Sequence, residues 1–138
     1  MMVQEVDMFP WEGEYPAPQM ARFIRNQAET LMYTKRFYEV RNDSGELILG
    51  AGVALWSFVR PPELWLLLAK PYFVNLRDSL RLTKMAMALP AEQYSGLVCD
   101  VRKTNKAEMH FVKHCGWRPT GHASLRPHGE NFIQFEVM

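Results

Sequence analysis

Residues 101–117 read VRKTNKAEMHFVKHCGW, and the register of this stretch decides how the chain folds. The spacing predicts a helix after the Val101–Asn105 segment, with Gly116 just past its end as a left-handed cap. Met109, Val112 and Cys115 recur every three residues, with Phe111 alongside, and so form a buried stripe. Trp117 follows directly after the cap. Lys106, His110, Lys113 and His114 fall together on the opposite side, where polar runs are usually solvated. A histidine pair at i and i+4 can bind zinc, but the protease pattern needs a glutamate between them and a further ligand. Here Phe111, Val112 and Lys113 intervene, and the lysine would repel a cation, so no metal is expected. Cys115 lies on the buried stripe with no helix N-terminus to lower its pKa, which makes it a packing residue rather than a nucleophile.

Working outward, Leu97–Val101 reads as a strand entered through Ser95-Gly96, and Leu76–Leu89 reads as a helix that stops before Pro90. Leu64–Ala69 is apolar on both faces, as a central strand is. Phe37–Arg41 and Glu46–Phe58 flank the turn residues Asn42-Asp43-Ser44-Gly45 and predict a hairpin. Gly50 and Gly52 within it imply a bulge or a close backbone neighbour. Gln19–Tyr33 carries helical periodicity, and residues 1–18 read as an irregular arm over the body. Arg118–Leu125 and Asn131–Met138 predict two closing strands around the turn-rich 126–130. The order is helix, three strands, helix, strand, helix, two strands: a mixed α/β chain forming a single domain over 1–138.

Composition agrees with one packed core. The chain has 138 residues, 48% hydrophobic and 22% charged, with a net charge of +1, and a domain of this size buries about 68–70% of its unfolded surface. So balanced a charge supplies no global field toward nucleic acid or an anionic membrane. The local cations Arg22, Arg25, Lys35, Arg36 and Arg41 carry no reading motif, and nucleic acid is not an expected partner. The apolar stretches are too short for a membrane span, and the N-terminus has no signal-peptide pattern. Cys99 and Cys115 have neither metal spacing nor a disulfide framework, so buried thiols in a cytoplasmic protein are expected.

Val101-Arg102-Lys103-Thr104-Asn105, followed eleven residues later by Gly116-Trp117, resembles the strand-to-helix motif of the GCN5-related N-acetyltransferase (GNAT) superfamily. The resemblance spans about Phe37 to Met138, including the hairpin, the strand ending at Lys70-Pro71 and the closing strand. Within the superfamily it is nearest to short phage-encoded acetyltransferase-like proteins. It implies a mostly antiparallel central sheet with flanking helices, whose fourth and fifth strands splay apart to admit acetyl-coenzyme A. It also implies cofactor contacts at the backbone of Leu67, Leu68 and Ala69, at the helix-opening turn of Arg77, Asp78 and Ser79, and at Asn105.

Two features depart from the superfamily pattern. The paired glycines that cradle its pyrophosphate are Arg77 and Ser79 here, and glycine serves there because a bare backbone lets phosphate approach. Its leaving-group tyrosine, seven residues after Asn105, is Val112, which has no proton to give. Glu63, at the start of the fourth strand, and Asp100, on the fifth, are the candidate proton acceptors. The resemblance implies acetyl transfer to a small-molecule or protein amine. The departures are what a non-catalytic binding or assembly protein would show, with self-assembly or phage morphogenesis as its setting.

Overall fold

The computed structural model describes residues 2–16, 30–56, 60–124 and 129–137. Most of the helix expected over Gln19–Tyr33 lies outside them, as do Arg22 and Arg25; Thr30–Tyr33 is helical. The strands are β1 (Met2–Val6), β2 (Thr34–Arg41), β3 (Leu47–Ala54), β4 (Glu63–Leu68), β5 (Val98–Arg102), β6 (Arg118–Pro119) and β7 (Phe132–Glu136), and the helices α1 (Leu76–Ala86), α2 (Ala88–Gln93) and α3 (Lys106–Cys115). Among the described residues the strands form one seven-stranded sheet in the order β1-β2-β3-β4-β5-β7-β6. Every pairing is antiparallel except β4 with β5. The mixed, mostly antiparallel sheet with helices beside it is the architecture the sequence predicts.

The β2–β3 hairpin turns where expected. Gly45 holds φ 81°, a conformation that glycine adopts without strain, and the Asn42 side chain accepts from the amides of Ser44 and Glu46. β4 is buried on both faces, also as expected. Leu64 and Leu68 join Tyr38, Val40, Leu49, Ala51, Val53, Cys99, Val101 and Phe135 in a core closed by Leu80, Met87, Phe111, Val112 and Trp117. Trp65, Leu67 and Ala69 face the other way, into a smaller cluster with Phe9, Tyr15 and Leu47. The pairing register runs unbroken past Gly50 and Gly52, so neither glycine marks a bulge. A Cβ on Gly50 would lie 2.6 Å from the Phe9 ring, and one on Gly52 would lie 2.6 Å from Trp65. Close aromatic neighbours are the reason for both.

Three local expectations are corrected. The chain's start is not wholly irregular: β1 pairs with β2, tied by Gln4 to Glu39 at 2.7 Å and by Arg36 to Glu5 at 2.8 Å. The helix from Leu76 ends at Ala86, and Pro90 sits inside α2 instead of stopping a helix. First-turn amides have no intrahelical acceptor, so proline at that point forfeits no hydrogen bond. Finally, the strand predicted over Arg118–Leu125 is confined to Arg118–Pro119 among the described residues.

A candidate active site in the gap between β4 and β5

The parallel β4–β5 pair closes at one point. Glu63 and Val98 are Cα partners, and the Val98 N–H donates to the Pro62 carbonyl at 3.0 Å. No further Cα partners join these two strands among the described residues. Backbone groups alternate sides along a strand, and with Pro62 turned toward β5, so are Leu64, Leu66 and Leu68. Ala69 has the other parity: its N–H donates to Ile48 at 2.9 Å, and its carbonyl accepts from Tyr72 at 3.0 Å. On β5, Leu97 and Lys103 bond toward β7, which turns the main chain of Asp100 and Arg102 into the gap. Of the three residues picked out along and just past β4, Leu68 faces the gap by parity, Leu67 faces β3, and both main-chain groups of Ala69 are used within the chain.

Both candidate carboxylates stand on the sheet face opposite α1 and α3. Glu63 shares its parity with Trp65 and Leu67, and Asp100 alternates with the core residues Cys99 and Val101. Glu63 is only 3% exposed and accepts from the Trp56 indole N–H at 2.9 Å. Asp100 Oδ2 accepts from the Ser124 hydroxyl at 2.8 Å. Glu63 marks the closed end of the gap, and Asp100 lies two residues farther along β5, on the open part. Trp56 was not singled out from sequence. Its signal is its place, at the end of a strand and just ahead of a proline-pair turn that returns the chain to Glu63. The Trp56 ring also meets Tyr33 at a tilt and lies under the Arg60 guanidinium, 4.6 Å away.

The remaining candidates sit at two helix N-termini. Asn105 caps α3, its side chain accepting from the Glu108 N–H at 3.1 Å. At α1 the cap is Asn75, which accepts from the Asp78 N–H at 3.3 Å and donates to the Asp78 carboxylate at 2.9 Å. Arg77 and Asp78 are exposed, whereas Ser79 is buried.

On α3 the helical pattern is as read from sequence. Phe111, Val112 and Cys115 are buried, Lys106, His110, Lys113 and His114 are exposed, and Gly116 takes φ 76°. Among the described residues no three or more His, Cys, Asp or Glu side chains are grouped to hold a metal ion. Burial pushes the Cys115 thiol up to about 11 and the hydroxyl of Tyr72, packed beside it, up to about 12. The Cys115 thiol therefore ionises in the unfolded chain before it does in the folded one. Its contribution to stability is complete below about pH 9 and is lost as pH rises through about 11. Two outcomes are expected: intact mass shows no alkylation of native Cys115 by iodoacetamide at pH 8, and the urea midpoint falls between pH 9 and pH 11. Rapid alkylation at pH 8 would contradict the packed environment.

No protein-family model matches this chain, and no curated protein does. Solved structures do. A GNAT-family acetyltransferase from Elizabethkingia anophelis, determined with acetyl-coenzyme A bound, aligns with a TM-score of 0.61 at 15% identity, covering 97% of this chain and 95% of that one. The fold is that of the GNAT N-acetyltransferases. A Klebsiella pneumoniae protein provisionally described as an acyl-CoA N-acyltransferase aligns with a TM-score of 0.62 at 14% identity, covering 99% of each chain. The spermidine N-acetyltransferase of Vibrio cholerae, as its F149A mutant, gives 0.59 at 12% identity, with 100% of this chain and 95% of that one covered. At such identities the likeness shows the acetyltransferase fold, over nearly the whole of each chain. Among the described residues no helix is long and apolar enough to cross a membrane.

Proposed function

We propose that this chain transfers an acetyl group from acetyl-coenzyme A to a primary amine on a small molecule or a protein. The observation that carries the proposal is the β4–β5 gap, closed at Glu63–Val98 and lined by main chain beyond it. The donor set suits part of the cofactor: by strand parity the main chain at Leu66 on one side and Arg102 on the other turns toward the gap, as pairing with the amides of a pantetheine arm requires. When bound, the cofactor supplies a thioester carbonyl open to attack by an amine.

The chain's own part is to orient the amine and take its proton. An amine is largely an ammonium ion near neutral pH and must lose a proton before it can attack. Asp100 offers a carboxylate on the open part of the gap, steadied by Ser124. Glu63 offers a second at the closed end, steadied by Trp56. Val112 places methyl groups at the tyrosine position, so that residue returns no proton to a departing thiolate.

Calorimetric titration of the full chain with acetyl-coenzyme A tests the proposal. Saturable binding is expected, and no heat at millimolar cofactor would remove the enzyme reading and leave a binding or assembly role, in self-assembly or phage morphogenesis. Spermidine, the substrate named for the Vibrio cholerae enzyme, is the first acceptor to assay.

A further inference from the structure

In the GNAT pattern the pyrophosphate seat is the turn that opens α1, and there the chain already caps one of the amides itself. An anion at a helix N-terminus needs unblocked amides, room for close approach and a positive local field. The Asn75 side chain takes the Asp78 amide, and the Asp78 carboxylate stands in the first turn, bonded to Asn75 and 3.8 Å from Arg81. An aspartate there already complements the positive end of the helix dipole and repels a second anion. Leu76-Arg77-Asp78-Ser79 contains no glycine, so each residue brings a Cβ to the approach. Apolar side chains flank the turn: Phe73, Val74 and Leu76 are all exposed, Val74 at 87%. Arg77 is the cation on this turn that could compensate, but it is solvated and shares the turn with Asp78.

We infer that this chain holds its acyl donor by the pantetheine arm alone, in the β4–β5 gap, and that the N-terminus of α1 disfavours the pyrophosphate instead of seating it. This rests on the proposed acetyl-coenzyme A reading and narrows it to a substrate class: acyl thioesters of pantetheine, with or without the nucleotide.

The test compares acetyl-coenzyme A with the acetyl thioester of pantetheine by calorimetry on the full chain. The two dissociation constants are expected to agree within about threefold, with little dependence on salt, because the phosphates stay in solvent. Asp78→Asn should tighten acetyl-coenzyme A by about two- to fivefold, the usual range for one charge at a helix N-terminus, and leave the pantetheine thioester unchanged. Arg77→Ala should change neither. Acetyl-coenzyme A binding more than about tenfold tighter than the short thioester, or weakening on Arg77→Ala, would overturn the inference while leaving the acyl-donor reading intact. If neither thioester bound, the acyl-donor reading would fall, and this inference with it.

Discussion

Trp65→Ala is expected to destabilise the fold by about 3–5 kcal/mol, the range for removing a fully packed large aromatic side chain. Trp65 is the centre of the smaller core on the face away from α1 and α3. Its ring meets Phe9 at 5.3 Å and Phe37 at 6.3 Å, and its indole N–H donates to the Thr34 hydroxyl at 2.9 Å. That hydroxyl donates in turn to the Thr30 carbonyl at 2.6 Å, so the ring fixes the start of β2 as well as the middle of β4. Domains are stable by only about 5–15 kcal/mol, so the loss is a large share of the total. Urea unfolding read by circular dichroism would measure it, and a loss below about 1 kcal/mol would mean that the ring is not a packing centre. Gly52→Ala supplies the converse. Its Cβ would meet the indole at 2.6 Å and the Thr34 methyl at 2.8 Å, and such overpacking costs about 1–3 kcal/mol. In the Trp65→Ala background the same substitution should cost less, because the indole it collides with is gone.

In an acetyl-transfer assay, replacing the proton acceptor should lower kcat by about 10²–10⁴ while leaving the acyl donor's dissociation constant unchanged. Asp100→Asn and Glu63→Gln separate the two candidates. Each amide keeps an oxygen that can accept the existing bond, from Ser124 or from the Trp56 indole, so packing is preserved while the proton-accepting charge is lost. Asp100 is the better placed, since β5 has parted from β4 there, whereas Glu63 sits at the point of closure. The larger effect is therefore expected for Asp100→Asn. If neither variant slows turnover by more than about threefold with an accepted amine, proton removal falls to solvent or to another group.

Where local chemistry decides an element, the sequence was legible. Asn42–Gly45 marked a turn, Gly116 a helix end and Leu64–Ala69 a two-faced strand, and each depends on residues within a few positions. The helix stripe of Met109, Val112 and Cys115 was equally plain. β1 was not, because an edge strand borrows its order from a neighbour. Gln4 and Glu5 are held by Glu39 and Arg36, more than thirty residues away, and nothing nearby announces the register. Pro90 misled for a related reason, since its effect depends on whether it enters a helix at the first turn or inside.

At the candidate site, the carboxylates and the missing glycines could be read directly. Which main-chain groups face the gap could not, because that parity is set by pairing with strands distant in the chain. The self-capping of α1 was hidden too. Asn75 and Asp78 are ordinary helix-start residues, and only the structure shows that the Asp78 amide is capped by Asn75.

The single rung between β4 and β5 has a kinetic side. Parallel pairing joins segments distant along the chain, and loop-closure entropy makes such contacts slow to form. Here β2, β3 and β4 pair in sequence as a meander, and β5, β6 and β7 assemble within the last third of the chain. The two half-sheets thus mature from mostly near-neighbour contacts, and one rung is the only parallel pairing that must be found between them among the described residues. The opening that would admit a cofactor is also a stretch of slow-forming ladder that the chain never has to build.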